Sequence, residues 1–191
     1  EIERYSIFSK FENFDIVLKN KKILITSGRT KENIDPVRYL SNNSSGKMGY
    51  SLAQAAVDLG AEVTLISGPT DLKVPNGLEN FISVESALEM YEKVEYFKNT
   101  DIFIACAAVA DYRPKEYKKE KIKKSDSDFV IELVRNPDIL LEMSKKKEKQ
   151  LLVGFAAETN DIKENALKKL ETGDEKEDAE DELLGLEDDD F

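Results

Sequence analysis

Histidine is absent from this chain of 191 residues, and cysteine occurs once, at Cys106. Without histidine, the sequence excludes a Ser-His-Asp or Cys-His catalytic set and any imidazole metal ligand. A single cysteine excludes an internal disulfide and a cysteine-rich zinc site, which suits the reducing cytosol and predicts a cytoplasmic protein. Any catalysis must therefore depend on lysine, arginine, asparagine, carboxylates and backbone groups.

Long apolar runs are also missing from the sequence. No stretch approaches the roughly 20 apolar residues that span a bilayer, and the N-terminus lacks the pattern of a signal peptide. These features predict a soluble protein with no membrane partner. The chain begins at Glu1 and not at methionine, which predicts a processed or excised piece.

The negative charge is concentrated at one end of the chain. The formal net charge is −11, and residues 174–191, with eleven acidic residues and one lysine, account for −10 of it. This composition buries too little apolar surface to offset the entropy of ordering, so residues 172–191 are predicted to form a disordered acidic tail. A short partner-binding helix around Leu183, Leu184 and Leu186 is the alternative. The other 173 residues are nearly neutral, which argues against a nucleic-acid partner.

The remaining sequence alternates short β-rich runs with helical periodicity. Apolar runs predict strands at residues 23–26, 63–66, 81–84, 102–108 and 151–155. Helical spacing predicts helices at about residues 48–59, 88–97 and 161–170, the first preceded by a long loop. This order predicts an α/β, three-layer Rossmann-like domain with a mostly parallel sheet over residues 21–171. Residues 1–20 are predicted to be a lead-in or linker helix.

Ligands bind such sheets beyond the carboxyl ends of the strands, so the loops there contain the candidate site. Gly28 follows the first strand, and the segment RYLSNNSSGKMG at residues 38–49, which includes Ser44, precedes a predicted helix. Free N–H groups and the dipole at a helix N-terminus favour an anion, which predicts a phosphate site. A polar capping loop is the alternative, because neither GxGxxG nor a P-loop is present.

The end of the fourth predicted strand and the residues that follow it have the sequence ACAAVADYRP, residues 105–114. The small residues Ala105, Cys106 and Ala107 would let a flat ring lie against the backbone, and Asp111 could accept hydrogen bonds from a base or sugar. A strand end packed with alanine is the alternative. Cys106 itself is predicted to be a buried small hydrophobe.

Six lysines follow between residues 115 and 124. A mobile basic loop can clamp a polyphosphate and stabilise developing charge, although a solvated charged face is the alternative. Tyr117 and Lys121 match the Y-x-x-x-K spacing of short-chain dehydrogenases. Pro114 and the missing glycine fingerprint make chance the better explanation of that match.

Six motifs in order, DPVRYLSNNSSGKMG, VTLISGP, ACAAVADYRP, EKIKK, RNPDIL and VGFAAET, resemble those of phosphopantothenoylcysteine synthetase. This is the second half of the bifunctional bacterial coenzyme A biosynthesis protein, and the resemblance covers about residues 20–170. It implies a phosphopantothenate–cysteine ligase with Mg²⁺. In that reaction CTP, or ATP, activates 4′-phosphopantothenate to an acyl-nucleotidylate, and L-cysteine then forms the amide. It also implies a homodimer with sites completed across the interface, and a flavin-dependent decarboxylase domain in the full-length protein.

The resemblance also implies residue roles. Asn42 would hydrogen-bond the carbonyl of the acyl intermediate, Arg38 would hold that loop and its anionic ligand, and Lys121 would stabilise phosphate charge. No protein metal ligands are implied, because the nucleotide would bring Mg²⁺. The implied nucleotide contacts are Gly28, Ser44, Ala105, Cys106, Ala107, Asp111, Lys121, Pro137, Asp138, Ile139, Leu140, Phe155 and Lys169.

The sequence departs from the family pattern in two places. Asn43 stands where many relatives have histidine, and Gly173 stands where the nucleotide-binding lysine after Lys169 is expected. We therefore expect the C-terminal part of the domain to be truncated or replaced by the acidic tail. The alternative function is a nucleotide-binding but catalytically incomplete domain that acts as a partner or fragment. A nicotinamide dehydrogenase is a third reading.

Overall fold

A parallel sheet forms the centre of the structure, a computed structural model that describes residues 17–124 and 129–155. In chain order the elements are β1 (Lys22–Ser27), β2 (Lys31–Asp35), β3 (Arg38–Ser41), α1 (Lys47–Asp58), β4 (Glu62–Ser67), β5 (Asn80–Ser83), α2 (Ala87–Tyr96), β6 (Ile102–Ala105), β7 (Tyr112–Pro114), β8 (Leu133–Arg135), α3 (Ile139–Ser144) and β9 (Leu151–Gly154). The sheet has the strand order β5-β4-β1-β6-β9, and all of its pairings are parallel. The predicted α/β Rossmann-like class is therefore confirmed.

Strand β1 lies at the centre of the sheet, and its side chains alternate between two apolar clusters. Ile23 and Ile25 pack with Tyr50 and Ala53 of α1 on one face. Leu24 packs on the other face with Met90 of α2 and further residues of α2 and α3. Each cluster is fully covered, which explains why β1 is apolar at successive positions.

The chain leaves β1 toward β4 and β5, and returns to the opposite side of β1 for β6 and β9. The carboxyl ends of β1 and β6 therefore flank the point where the strand order reverses. Open α/β sheets bind ligands in the crevice at this point. The fold thus brings the loops after β1 and β6, both predicted to contain the site, to the same edge.

The prediction of a long loop between the first strand and the first helix was wrong, because this segment contains the antiparallel hairpin β2–β3. The hairpin was not predicted because some of its buried residues are polar. Glu32 and Asp35 are buried there, and the Glu32 carboxylate accepts a hydrogen bond of 2.9 Å from the N–H of Ala87 at the start of α2. A bulge between Asn33 and Asp35 further breaks the alternation expected of a strand.

Two other differences concern the second half of the domain. The strand predicted at residues 102–108 ends at Ala105, because the following N–H groups bond to a threonine hydroxyl and not to a strand carbonyl. The hairpin β7–β8 and helix α3 were not predicted. The two strands have three residues each and the helix has six, so neither shows a clear periodicity.

The other predicted features fall partly outside the described residues. Residues 17–20 form a turn that leads into β1, whereas most of the lead-in at residues 1–20 lies outside the described part of the chain. The helix predicted at residues 161–170 and the acidic tail also lie outside it. Within residues 17–124 and 129–155, none of the helices has the length and apolar character needed to cross a membrane.

Glycines allow α1 to approach β1 closely. A Cβ added at Gly49 would lie 2.3 Å from Ser27 Oγ and 2.5 Å from Ser27 Cβ. Replacing glycine by alanine in a helix normally stabilises it by up to about 1 kcal/mol. Here we expect the crowding to outweigh that gain.

We predict that Gly49→Ala lowers the free energy of unfolding by about 1–3 kcal/mol, the usual cost of overpacking. Urea unfolding followed by circular dichroism would measure it. Ser51→Ala, at an exposed position of the same helix, is the control and should be neutral or slightly stabilising. A Gly49→Ala variant as stable as the unaltered chain would contradict the close packing.

Candidate functional site

Two threonine hydroxyls join the loops that leave β1 and β6. Thr26 Oγ1 accepts hydrogen bonds from the N–H groups of Cys106 at 3.2 Å and Ala107 at 3.4 Å. Thr30 Oγ1 accepts one from the N–H of Ala110 at 3.0 Å. Both threonines are buried. Their hydroxyls satisfy backbone N–H groups that no strand pairs, and so hold the loop after β6 in place.

Ala105, Cys106 and Ala107, the strip of small residues predicted to contact a nucleotide, lie beside Gly28. The N–H of Ala108 donates to Gly28 O at 2.8 Å. Ala105, Cys106 and Ala107 are each only partly buried, so their surfaces remain open to a ligand. Cys106 was predicted to be buried and is not fully so, because β6 has already ended before it. Partial burial raises the pKa of the Cys106 thiol above its ordinary value.

The turn after β1 meets the start of α1. Gly28 has φ 76°, and a Cβ there would lie 2.7 Å from Gly68 O. Ser27 Oγ donates to Gly46 O at 3.0 Å, and Ser44 Oγ accepts from the N–H of Gly46 at 3.3 Å. Because Gly46 is the N-cap of α1 and the first turn has no acidic residue, this helix end favours an anion. Gly28 and Ser44 therefore both lie next to the predicted phosphate site.

Asn42 is placed against the loop after β6. Its exposed side chain donates from Nδ2 to Val109 O at 3.1 Å. The preceding Ser41 donates from Oγ to Thr30 O at 2.7 Å. These two bonds attach the end of β3 to the crevice, so the structure brings Asn42 and the strip after β6 together.

The NPDI motif is the start of α3. The side chain of Asp138 accepts a hydrogen bond of 3.0 Å from the N–H of Leu141 and caps the helix. Asn136 Nδ2 donates to Ala110 O at 2.7 Å, and its N–H donates to Asp111 O at 2.8 Å, which joins the motif to the loop after β6. The carboxylate of Asp138 thus has a structural role that the sequence did not predict.

The remaining predicted contacts differ in exposure. Asp111 is exposed, while Pro137 and Leu140 are partly buried. Ile139 is buried in the core, so a ligand could reach only its backbone. Phe155 is half-exposed directly after β9, whose Gly154 pairs with Ala105. Lys169 lies outside the described residues.

Arg38 and the lysine loop are joined by Asp35. Arg38 Nε donates to Asp35 Oδ2 at 3.0 Å, and its Nη2 forms a second contact with the same oxygen. Nη2 also donates at 2.9 Å to the carbonyl of Ile122, the residue after Lys121. The Arg38 side chain therefore contacts the backbone of the residue next to Lys121, and Lys121 itself is exposed. The Arg38 charge, expected to face an anionic ligand, is already paired with a carboxylate.

Sequence reasoning gave no individual role to four polar residues of this site: Thr26, Arg29, Thr30 and Asp35. Arg29 directly follows Gly28, and its Nε is buried with no hydrogen-bond partner in the part of the chain that the structure describes. A threonine at each end of a Gly-containing turn after a buried strand is the signal that could have indicated the hydroxyl bonds. For metals, residues 17–124 and 129–155 contain no group of three acidic or cysteine side chains placed to hold an ion.

Residues 18–176 match the family described as the DNA/pantothenate metabolism flavoprotein C-terminal domain. The chain belongs to this family. It is 54% identical over 158 residues to the coenzyme A biosynthesis bifunctional protein CoaBC of Vibrio vulnificus strain YJ016, covering 81% of this chain and 39% of that protein. It is 54% identical over 154 residues to the CoaBC protein of Bacillus subtilis strain 168, covering 80% and 38%.

A solved structure supports the same family assignment. The crystal structure of the C-terminal domain of a CoaBC protein aligns with a TM-score of 0.72 at 51% identity, covering 82% of this chain and 74% of that one. The chain spans about two fifths of the length of the curated relatives that it matches. The family resemblance predicted from the six motifs is therefore confirmed for the domain.

The contribution of the Asp35 carboxylate to the stability of the fold depends on pH. The Arg38 guanidinium lowers the pKa of Asp35, burial opposes this, and the N–H groups of Val37, Ile122 and Arg38 lower it further, so that the pKa lies well below its ordinary value. In the unfolded chain the carboxyl takes up its proton near pH 4. A lowered pKa in the folded state therefore stabilises the fold above that pH, and this contribution falls as the pH falls toward the folded pKa.

We predict that the difference in unfolding free energy between the unaltered chain and Asp35→Asn is constant above about pH 5. It should shrink steadily below about pH 4. Urea titrations across the pH range would measure it, and Asp71→Asn at an exposed position would reveal the general effect of removing one negative charge. A difference that grows in acid would contradict the assignment.

Proposed function

We propose that this chain is the phosphopantothenate–cysteine ligase part of a coenzyme A biosynthesis protein. Membership of the family and the names of its relatives support this assignment. The observation that supports it best is the bond from Asn42 to Val109. It places a side-chain amide, an uncharged donor suited to an acyl carbonyl, beside the strip at Ala105, Cys106 and Ala107.

In the proposed first step, a carboxylate oxygen of 4′-phosphopantothenate attacks the α-phosphate of CTP. A bond forms between that oxygen and phosphorus, and the bond to the departing pyrophosphate breaks. The base would lie against the small residues after β6, and the phosphates would lie at the turn of Gly28 and Ser44. Lys121 would stabilise negative charge on the phosphates.

In the proposed second step, the amine of L-cysteine attacks the acyl carbonyl, the bond from the acyl carbon to the cytidylate oxygen breaks, and the nitrogen loses a proton to solvent as the amide forms. Asn42 would donate a hydrogen bond to that carbonyl as its oxygen becomes negative. Neither step needs an imidazole, since positioning and charge neutralisation account for most of the catalysis in phosphoryl and acyl transfer of this kind. The proposal therefore agrees with the absence of histidine.

Mg²⁺ is proposed to arrive with the nucleotide, since it prefers phosphate and water oxygens to a dedicated protein cage. ATP is the alternative nucleotide. The proposed assembly is a cytoplasmic homodimer, in which exposed apolar side chains of the two hairpins, among them Val37, Tyr39 and Tyr112, would be covered by the partner subunit. A flavin-dependent decarboxylase domain is proposed as the other part of the full-length protein.

Two partial reactions test the proposal. Pyrophosphate release should require both CTP and 4′-phosphopantothenate, and amide formation should require added L-cysteine. If calorimetry detects CTP binding but no pyrophosphate is released, the chain is the catalytically incomplete nucleotide-binding domain instead. Binding of NADH in place of CTP would favour the dehydrogenase.

We predict that Lys121→Ala slows pyrophosphate release by roughly 100- to 1,000-fold, the usual loss for one preorganised group that stabilises charge. Rapid-quench measurement of pyrophosphate would give this rate. Lys19→Ala is the control, because Lys19 is exposed just before β1, at the opposite end of the sheet. Equal effects of the two substitutions would remove Lys121 from the first step.

We predict that Asn42→Asp still forms the acyl-cytidylate but uses it more slowly, since a carboxylate repels the negative charge that develops on the acyl oxygen. A loss of about 100-fold in amide formation is expected. Mass spectrometry should detect the accumulated intermediate in the variant. Asn99→Asp, exposed before β6, is the matched control, and unchanged turnover in Asn42→Asp would refute this role.

A further inference from the structure

The carboxylate of Asp35 has two oxygens with different partners. Oδ1 accepts hydrogen bonds of 2.9 Å from the N–H groups of Val37 and Arg38, which close the local turn between β2 and β3. Oδ2 accepts from the Arg38 guanidinium and, at 3.1 Å, from the N–H of Ile122. The Asp35 side chain is fully buried. One oxygen thus serves the hairpin turn, and the other reaches a segment 87 residues away.

Both backbone groups of Ile122 are held by this ion pair. Its N–H donates to Asp35, and its carbonyl accepts from Arg38 Nη2 at 2.9 Å. Earlier in the same loop, the N–H of Lys118 donates to Ile34 O at 2.9 Å. Lys121 therefore lies in a short span that is attached to the hairpin at both ends.

Residues 119–124 have few other features that would fix the position of their backbone. Residues 119–124 have no regular secondary structure, and four of the six are lysines with exposed side chains that repel one another. Ile122 is the only apolar residue among them, and it is partly buried. Without the bonds to Asp35 and Arg38, the backbone next to Lys121 would sample many positions.

We propose that Asp35 is a positioning residue, which fixes Lys121 for the first step by holding the backbone of Ile122. This inference rests on the proposed ligase function. Asp35 touches no reacting atom in it. Arg38 serves the same purpose from the other side, by neutralising the buried carboxylate and binding the carbonyl of Ile122.

The variant Asp35→Asn separates the two roles of this side chain. Its remaining amide oxygen can still accept from the N–H groups of Val37 and Arg38, as asparagine does in such turns. Its NH₂ group replaces the other oxygen and cannot accept from Ile122 or Arg38. The hairpin turn should persist in this variant, while the attachment of the lysine loop is lost.

Amide hydrogen exchange measures the attachment directly and needs no substrate. In the unaltered 191-residue chain, the N–H of Ile122 should be protected. In Asp35→Asn it should exchange at least about tenfold faster, while the N–H of Arg38 changes little. Asp101→Asn is the matched control, because the Asp101 carboxylate also binds a backbone N–H, that of Lys22 at 2.8 Å, at the opposite end of the sheet.

Rates of the partial reactions measure the consequence for catalysis. Asp35→Asn should slow pyrophosphate release by about 10- to 100-fold, the range expected when a charged group is misplaced by about 1 Å. In the Lys121→Ala background the same substitution should have almost no further effect, because the group that it positions is gone. Amide formation from preformed acyl-cytidylate should change much less than pyrophosphate release.

Two results would overturn the inference. One is equal exchange of Ile122 in the unaltered chain and in Asp35→Asn. The other is a double variant in which the two losses multiply, since Asp35 would then act independently of Lys121. An unaltered chain that releases no pyrophosphate would refute the proposed function and the catalytic part of this inference, and exchange at Ile122 would still decide whether Asp35 holds the loop.

Discussion

The pairing of β1 with a parallel strand on each side is the constraint on which the rest of the structure depends. β4 and β6 occupy both edges of β1, and apolar side chains cover both of its faces. Because β1 has no free edge or face, it can present polar groups to a ligand only at its ends, and the loops after β1 and β6 meet at the carboxyl end. At this end, hydroxyl side chains accept hydrogen bonds from backbone N–H groups that no strand carbonyl binds. Thr26 and Thr30 accept hydrogen bonds from N–H groups of the loop after β6, and a backbone bridge between Arg29 and Ala108 lies between these two contacts.

Glycines determine how closely the start of α1 approaches the end of β1. Gly46 and Gly49 allow the start of α1 to approach the turn after β1, because a Cβ at Gly49 would lie 2.3 Å from Ser27 Oγ and one at Gly46 would lie 3.2 Å from Gly28 Cα. The helix end therefore lies against the same turn that is joined to the loop after β6. The crevice is thus defined by close backbone contacts from three directions, and side chains such as Asn42 are placed around its rim.

The central fold could be predicted from the sequence because its strands are continuous apolar runs. Residues 23–26 and 63–66 are examples, and each was located to within one residue at either end. The hairpin β2–β3 could not be predicted in the same way. Its buried residues include Glu32 and Asp35, which are buried because each has a specific partner far along the chain, and no local pattern indicates such partners. The end of β6 was misplaced for a related reason, since it depends on one hydroxyl of Thr26.

The candidate site shows the same division. The motifs located Gly28, Asn42 and the strip after β6, and the structure brings them to one edge. The local pairings were not predictable, because an arginine near a phosphate site resembles an anion ligand until its carboxylate partner is known. Arg38 is that case, and Asp138, which caps α3, is another. Polar residues in this domain were harder to interpret than apolar ones because their role depends on which group they bind, even where that group is only three residues away.

The β2–β3 hairpin connects the groups proposed for the two chemical steps. Asp35 and Arg38, which hold the lysine loop, and Asn42, which binds the loop after β6, belong to one eight-residue segment. The hairpin is in turn fastened to the start of α2 through Glu32 and through the bond from Lys31 to Glu85. The hairpin therefore connects the start of α2 to both loops of the site. A displacement of the whole hairpin would move the groups proposed for both chemical steps together, whereas loss of the contact from Asp35 to Ile122 alone would release only the lysine loop.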